Sequence, residues 1–113
     1  MEMEKSIAER RKAPRFTLIL LAEVFDEDGD PLVTARSSDV SRVGCYIDTL
    51  NPAAVGTNIS VRLKLADETF AAAARVVYVC PGLGMGIKFD SETPGGQMAI
   101  LERWLEQAAA NKS

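Results

Sequence analysis

Arg10, Arg11, Lys12 and Arg15 place four cations within six residues, just ahead of the first long apolar stretch of the chain. Pro14 stands inside this run. It has no amide proton and it pushes Ala13 away from the helical region, so the segment is extended rather than helical. Side chains alternate along an extended chain, which puts positions 11, 13 and 15 on one side. Two planar guanidiniums, Arg11 and Arg15, then share a face with little but Ala13 between them. Such a pair can grip a phosphate bidentately, stack on an aromatic base or hydrogen-bond the acceptor edge of guanine, all of which a lysine pair does poorly. A compact anion with purine faces suits it.

A second cluster follows at Asp39-Val40-Ser41-Arg42-Val43-Gly44. Ionised Asp39 only accepts, and it can receive the two parallel N–H groups on the Watson–Crick edge of guanine. Ser41 lies two residues on, hence on the same side of an extended chain, and its hydroxyl can donate to a phosphate oxygen. Gly44 has no side chain, so the backbone can turn and come close to a ligand. Each cluster also has a plainer reading. The arginine run alone is compatible with a solvated basic tail or with ion pairs to Glu9 or Asp39, and Asp-x-Ser-x-x-Gly with a strand-ending turn whose side chains satisfy their own backbone.

The elements that must position these groups are mostly strands. Phe16 to Phe25 reads as one strand with Phe16, Leu18, Leu20, Ala22 and Val24 on one side, while Ile19 and Leu21 call for cover on the other. Asp26 to Pro31 is a polar hairpin turn. It has the spacing of a calcium loop but carries proline where that loop needs glycine, and Ser37 at its twelfth position. Strands follow at Leu32–Val40, Cys45–Asp48, Ile59–Leu65, Phe70–Cys80 and Leu83–Phe89. They are separated by turns at Gly44, Asn51-Pro52 to Gly56, Asp67-Glu68 and Pro81-Gly82. In the fourth strand Ile59, Val61, Leu63 and Leu65 face inward. Four alanines at 71–74 favour helix by propensity, but the run Val76-Val77-Tyr78-Val79 favours strand.

The period then changes. Thr93 is the expected N-cap, with Pro94 at the first helical position. Met98, Leu101, Trp104, Leu105 and Ala108 recur at three- and four-residue steps, giving a helix over about 94–109 that is expected to lie over the outer face of the first strand. The fold class is therefore all-β with one helix, a six-stranded antiparallel β-barrel followed by a C-terminal amphipathic α-helix. Residues 1–9 are expected to form a mobile tail, and 10–113 one domain.

Composition narrows the function. The chain has 113 residues and a net charge of −3, of which residues 10–15 contribute +4, leaving −7 elsewhere. Together with the pI near 4.9, this describes a local anion site and excludes a surface that tracks DNA or RNA, for which a strand-borne aromatic cluster is also missing. There are no histidines, which removes the usual Ser-His, Cys-His and zinc constellations, so no catalytic residue, metal or cofactor is expected. Cys45 and Cys80 lie in apolar strand patterns and read as buried thiols of a reducing compartment. No apolar run suits a membrane span or a signal peptide, and the expected location is the cytoplasm.

The two clusters, in this order and ahead of a β-rich core, resemble the PilZ domain family. Its pattern is Arg-x-x-x-Arg, at Arg11 and Arg15, then Asp/Asn-x-Ser-x-x-Gly, at Asp39, Ser41 and Gly44, and a final strand Gly-x-Gly-x-x-Phe, at Gly84, Gly86 and Phe89. The resemblance implies a receptor for the bacterial second messenger cyclic di-GMP. Arg11 and Arg15 would hold guanine edges, base faces and phosphates, Asp39 and Ser41 would bind guanine and phosphate, and Gly44 would permit close approach. Family members often carry a further basic residue before the first motif arginine, and it influences whether one ligand or a stacked pair binds. Here it is Arg10, which would help offset the four phosphate charges of a pair. The resemblance further implies a chain that is monomeric without ligand and whose arm orders on binding. It would then signal to a downstream effector protein in motility, biofilm or exopolysaccharide control. The alternative is an adaptor barrel that docks proteins without nucleotide.

Overall fold

The computed structural model describes residues 14–112. Its strands are β1 (Phe16–Thr17), β2 (Leu21–Phe25), β3 (Pro31–Val40), β4 (Gly44–Asp48), β5 (Asn58–Leu65), β6 (Glu68–Cys80) and β7 (Gly84–Phe89), followed by a helix, α1 (Gly95–Lys112). All pairings are antiparallel. The order runs β3-β2-β5-β6-β7-β4 and closes through β3–β4, while β1 and β2 both lie along β3. The result is a closed six-stranded barrel whose first strand is in two pieces. Among the described residues no helix is long and apolar enough to cross a membrane.

The expected continuous strand from Phe16 to Phe25 is interrupted at Leu18–Leu20, and Ser37 is the reason. Its buried hydroxyl donates to the Leu18 carbonyl at 2.7 Å and accepts from the Leu20 amide at 3.0 Å. A side chain thus satisfies backbone groups that a regular ladder would pair, and the chain bends without leaving them orphaned. Beyond the break, Leu20, Ala22 and Val24 enter the core as the alternation predicts.

Inward residues come from every strand of the ring. Ile59, Val61 and Leu63 meet Phe70, Ala72, Ala74 and Val76, with Ile47, Met85, Ile87 and Phe89 completing the cluster. The alanine run is strand, with positions 72 and 74 facing the core and 73 exposed. Phe70 and Phe89 meet edge to face with centroids 5.0 Å apart. Leu101, Trp104 and Leu105 of α1 are buried with them. Covering an indole of this size contributes on the order of 4 kcal/mol.

Three expectations need correction. The helix lies against β6 and β1 rather than over the outer face of the first strand, where Ile19 and Leu21 stay 62% and 44% exposed. Polar contacts add to that burial: Trp104 Nε1 donates to Glu68 Oε1 at 2.9 Å, Arg103 pairs with the other oxygen, and the Ala71 amide donates to Gln97 Oε1 at 2.7 Å. Thr93 does not act as the expected cap, since its hydroxyl donates to the Asp90 carbonyl at 2.6 Å, and α1 starts at Gly95. The turn expected at Asp67-Glu68 sits one residue earlier. Leu65 pairs with Glu68, leaving Ala66-Asp67 as the two-residue loop with Ala66 at φ +56°.

The polar hairpin is as the sequence reads. Asp26 Oδ1 accepts from the amides of both Asp28 and Asp30 at 2.9 Å, and Gly29 supplies the left-handed residue at φ +87°.

Candidate functional site

β3 ends at Val40, and the next four residues form a tight turn built around Ser41. Its amide and its hydroxyl both donate to the Gly44 carbonyl, at 2.9 and 3.2 Å, and Oγ accepts from the amides of Val43 and Gly44 at 3.2 and 3.3 Å. Ser41 is buried. The serine that the sequence offers as a phosphate donor therefore holds the shape of the loop in this state. Arg42, at the tip, reaches across to Glu102 of α1 at 3.3 Å with both side chains well exposed.

Gly44 is required here for a reason other than turn geometry. Its φ is not in the left-handed region. A Cβ at this position would instead collide with the backbone carbonyl of Ile87 in β7. The absent side chain thus lets β4 and β7 pair closely just where the motif loop joins the sheet.

Strand register brings the two motifs together. Phe16 pairs with Val40 and Thr17 with Asp39, so the same register extended by one residue sets Arg15 beside Ser41. Arg15, Ser41 and Gly44 line one pocket of about 210 Å³, together with Val43, Tyr46, Tyr78 and Lys88. Asp39, half-buried, is two pairs further along, opposite Tyr46, and is not among the lining residues. Arg10 and Arg11 lie outside the described residues.

Tyr46, Tyr78 and Lys88 are absent from the sequence-based site. The two rings stack on each other with centroids 6.1 Å apart and planes inclined at 29°, which corrects the reading that no strand-borne aromatic cluster exists. They rest on the glycines of β7. A Cβ at Gly86 would stand inside the Tyr78 ring, and one at Gly84 would meet the Tyr46 hydroxyl at 2.7 Å. The signal available in the sequence was Gly84-Met85-Gly86 itself, since alternate glycines on one strand face leave a seat for rings from the strands beside it.

The Tyr46 hydroxyl is pushed up to about 12 by desolvation and by the adjacent Cys80 thiol, with Tyr78 and Asp48 adding to it. At neutral pH the phenol thus remains an uncharged hydrogen-bonding group that does not repel an anion. Burial raises the Cys45 thiol well above its usual range and keeps it protonated. The pocket therefore offers a guanidinium, an ammonium and an aromatic shelf, a combination suited to an anion with flat bases.

Comparison with known proteins identifies the family and the fold. The sequence profile of the PilZ domain matches residues 9–107. A search of curated proteins finds no match. Among solved structures, the Bacillus subtilis inhibitor of motility MotI/DgrA is similar with a TM-score of 0.76 at 18% identity, over 91% of this chain and 53% of that one. This chain thus spans about half of MotI/DgrA. The PilZ domain of YcgR from Escherichia coli, solved with c-di-GMP, aligns with a TM-score of 0.71 at 16% identity, covering 91% and 94% of the two chains. The PilZ domain of CeSA from a cellulose-synthesizing bacterium gives 0.65 at 26% identity, covering 81% and 97%.

Proposed function

The chain belongs to the PilZ domain family, and we propose that it is a cytoplasmic receptor for cyclic di-GMP that performs no chemistry on its ligand. The observation that carries this reading is that Arg15 from one motif and Ser41 and Gly44 from the other line a single pocket beside stacked tyrosines. In this reading Arg15 and Arg11 grip phosphate and the guanine edge, with Arg10 adding charge. Tyr78 supplies a face for a base, Asp39 takes the guanine N–H groups, and Lys88 lies within reach of a phosphate. Ser41 shapes the loop, and its hydroxyl exchanges its own turn for the ligand.

Binding seats the arginine arm on the barrel. Ordering it costs on the order of 1–2 kcal/mol per residue. Charge-assisted hydrogen bonds at about 1.5–3 kcal/mol each, with stacking added, offset that. The seated arm presents a new surface to a partner protein in the motility or exopolysaccharide machinery, a switch by ordering.

Calorimetry with cyclic di-GMP tests the assignment. Arg11→Ala, Arg15→Ala and Asp39→Ala are each expected to weaken binding by about 10–100-fold, the worth of a charge-assisted contact. Unchanged affinity in the arginine variants removes those residues from the site. One observation favours a second reading, an adaptor that docks proteins without nucleotide: the Ser41 hydroxyl is fully engaged in its own turn. A thermal midpoint that does not move with saturating cyclic di-GMP selects the adaptor, because a ligand bound only to the folded state must raise it.

A further inference from the structure

The segment that leads into β1 has two sides, and only one of them belongs to the motif pocket. Arg15 lines that pocket. Its chain neighbours Pro14 and Phe16 instead line a groove of about 390 Å³ between β1 and α1. The apolar part of the groove comes from half-buried Phe16, buried Leu105 and Ala109. Its acidic part comes from Glu102 and Glu106, four residues apart and therefore on one face of the helix. Arg42 of the motif loop already pairs with Glu102. Glu106 is exposed and joins no ion pair among the described residues.

Residues 10–13 lie outside the described residues, and the chain reaches them through Pro14, itself part of the groove. A residue before proline, here Ala13, favours extended backbone. Side chains alternate along such a backbone, so positions 12, 14 and 16 share one side and 11, 13 and 15 the other. Lys12 is two residues from Pro14, within about 7 Å along the chain. In the pattern Arg-x-x-x-Arg it is only a spacer.

We infer that the groove is the seat of the arm and that Lys12 occupies it, its stem over Phe16 and Leu105 and its ammonium on Glu106. This rests on the reading of the chain as a receptor for cyclic di-GMP. A lysine fits such a place because its methylene stem covers apolar surface while its charge stays at the edge. Fixing Lys12 on one side of the strand turns Arg11 toward the pocket on the other. Lys12 and Glu106 are thus positioning residues, acting on the ligand only through Arg11. An exposed ion pair is too weak to seat the arm alone, so the groove acts together with the ligand.

Calorimetry of the full chain with cyclic di-GMP tests this by the sign of a charge effect. Lys12→Glu is expected to weaken binding about tenfold, since it breaks the pair and adds negative charge near an anion. Glu106→Lys is expected to weaken binding about threefold, although added positive charge by itself attracts an anion and would tighten it. The double variant restores the pair with its charges exchanged and is expected to return to within about threefold of the wild type. Glu106→Gln, expected to weaken binding about twofold, stands in for Glu106→Lys should that variant fail to fold. Glu106 is exposed, so the ligand-free thermal midpoint is expected to stay within about 2 °C. Glu106 variants that bind as tightly as the wild type or tighter, or a double variant whose loss is the product of the two single losses, overturn this inference and leave the receptor reading intact. A wild type that binds none overturns both.

Discussion

Under α1, Glu68 accepts the Trp104 indole N–H on one oxygen and pairs with Arg103 on the other, and Gln97 takes the Ala71 amide. On the outer face of β6 and β7, by contrast, Arg75 and Lys88 oppose each other and join no ion pair among the described residues, and two tyrosine rings lie on glycines. The helix flank is built for stability. Its large apolar side chains are buried, and among the described residues no buried side-chain polar atom lacks a partner. The β4–β7–β6 face instead keeps Arg75 and Lys88 out of any ion pair among the described residues and leaves Tyr78 exposed, which is how a binding surface keeps charge and flat apolar area available to something else. Mutation should therefore separate the two regions, with stability failing on one side and affinity on the other.

The largest effect is expected at Trp104. Trp104→Ala opens a cavity at the helix–barrel contact and removes one of the two partners of Glu68, for a loss of about 3–5 kcal/mol in chemical denaturation. Ligand affinity per folded molecule should hold. If it falls in parallel with stability, the two regions are not separable. Gly44→Ala comes next, because its new methyl meets the backbone carbonyl of Ile87, which cannot move without disturbing the β4–β7 pairing. A loss of about 1–3 kcal/mol with weakened binding is expected, measured by the same denaturation and by calorimetry. This is the one position where both properties fail together.

Gly86→Ala gives the smallest change in stability and the sharpest contrast. The methyl displaces only the Tyr78 ring, which can swing outward, and replacing a strand glycine returns about 0.5–1 kcal/mol of chain entropy. The denaturation midpoint should move little, while affinity for cyclic di-GMP drops about tenfold with the loss of one stacking face. An unchanged affinity would show that the tyrosine shelf takes no part in binding.

Much of this was legible in the sequence. The inward set Ile59, Val61, Leu63 and the helical stripe Leu101, Trp104, Leu105 follow from period alone, because both are set by burial on one face. The convergence of Arg15 with Ser41 and Gly44 was also within reach, since motif order and a strand pair suffice to join them. The break at Leu18–Leu20 was not, because it depends on a serine nineteen residues away filling in for a strand partner. Nor was the site's aromatic half. Tyr78 sits in a run of β-formers that any strand would use, and only the register of β4, β6 and β7 reveals that Gly84 and Gly86 seat it with Tyr46. The position of α1 escaped for a similar reason: the apolar outer face of Ile19 and Leu21 was an available berth, and the contacts that Glu68 and Gln97 make between helix and barrel depend on register that the period of the sequence does not carry.

Because β3 hydrogen-bonds to β4 as well as to β2, the six strands form a complete ring. Among the described residues every strand of that ring has a backbone partner on both sides, and only the two-residue β1, paired with β3 alone, keeps an open edge, so little is left for another chain to extend by strand addition. Association is thereby steered toward recognition through side chains, which can come and go without unravelling the sheet.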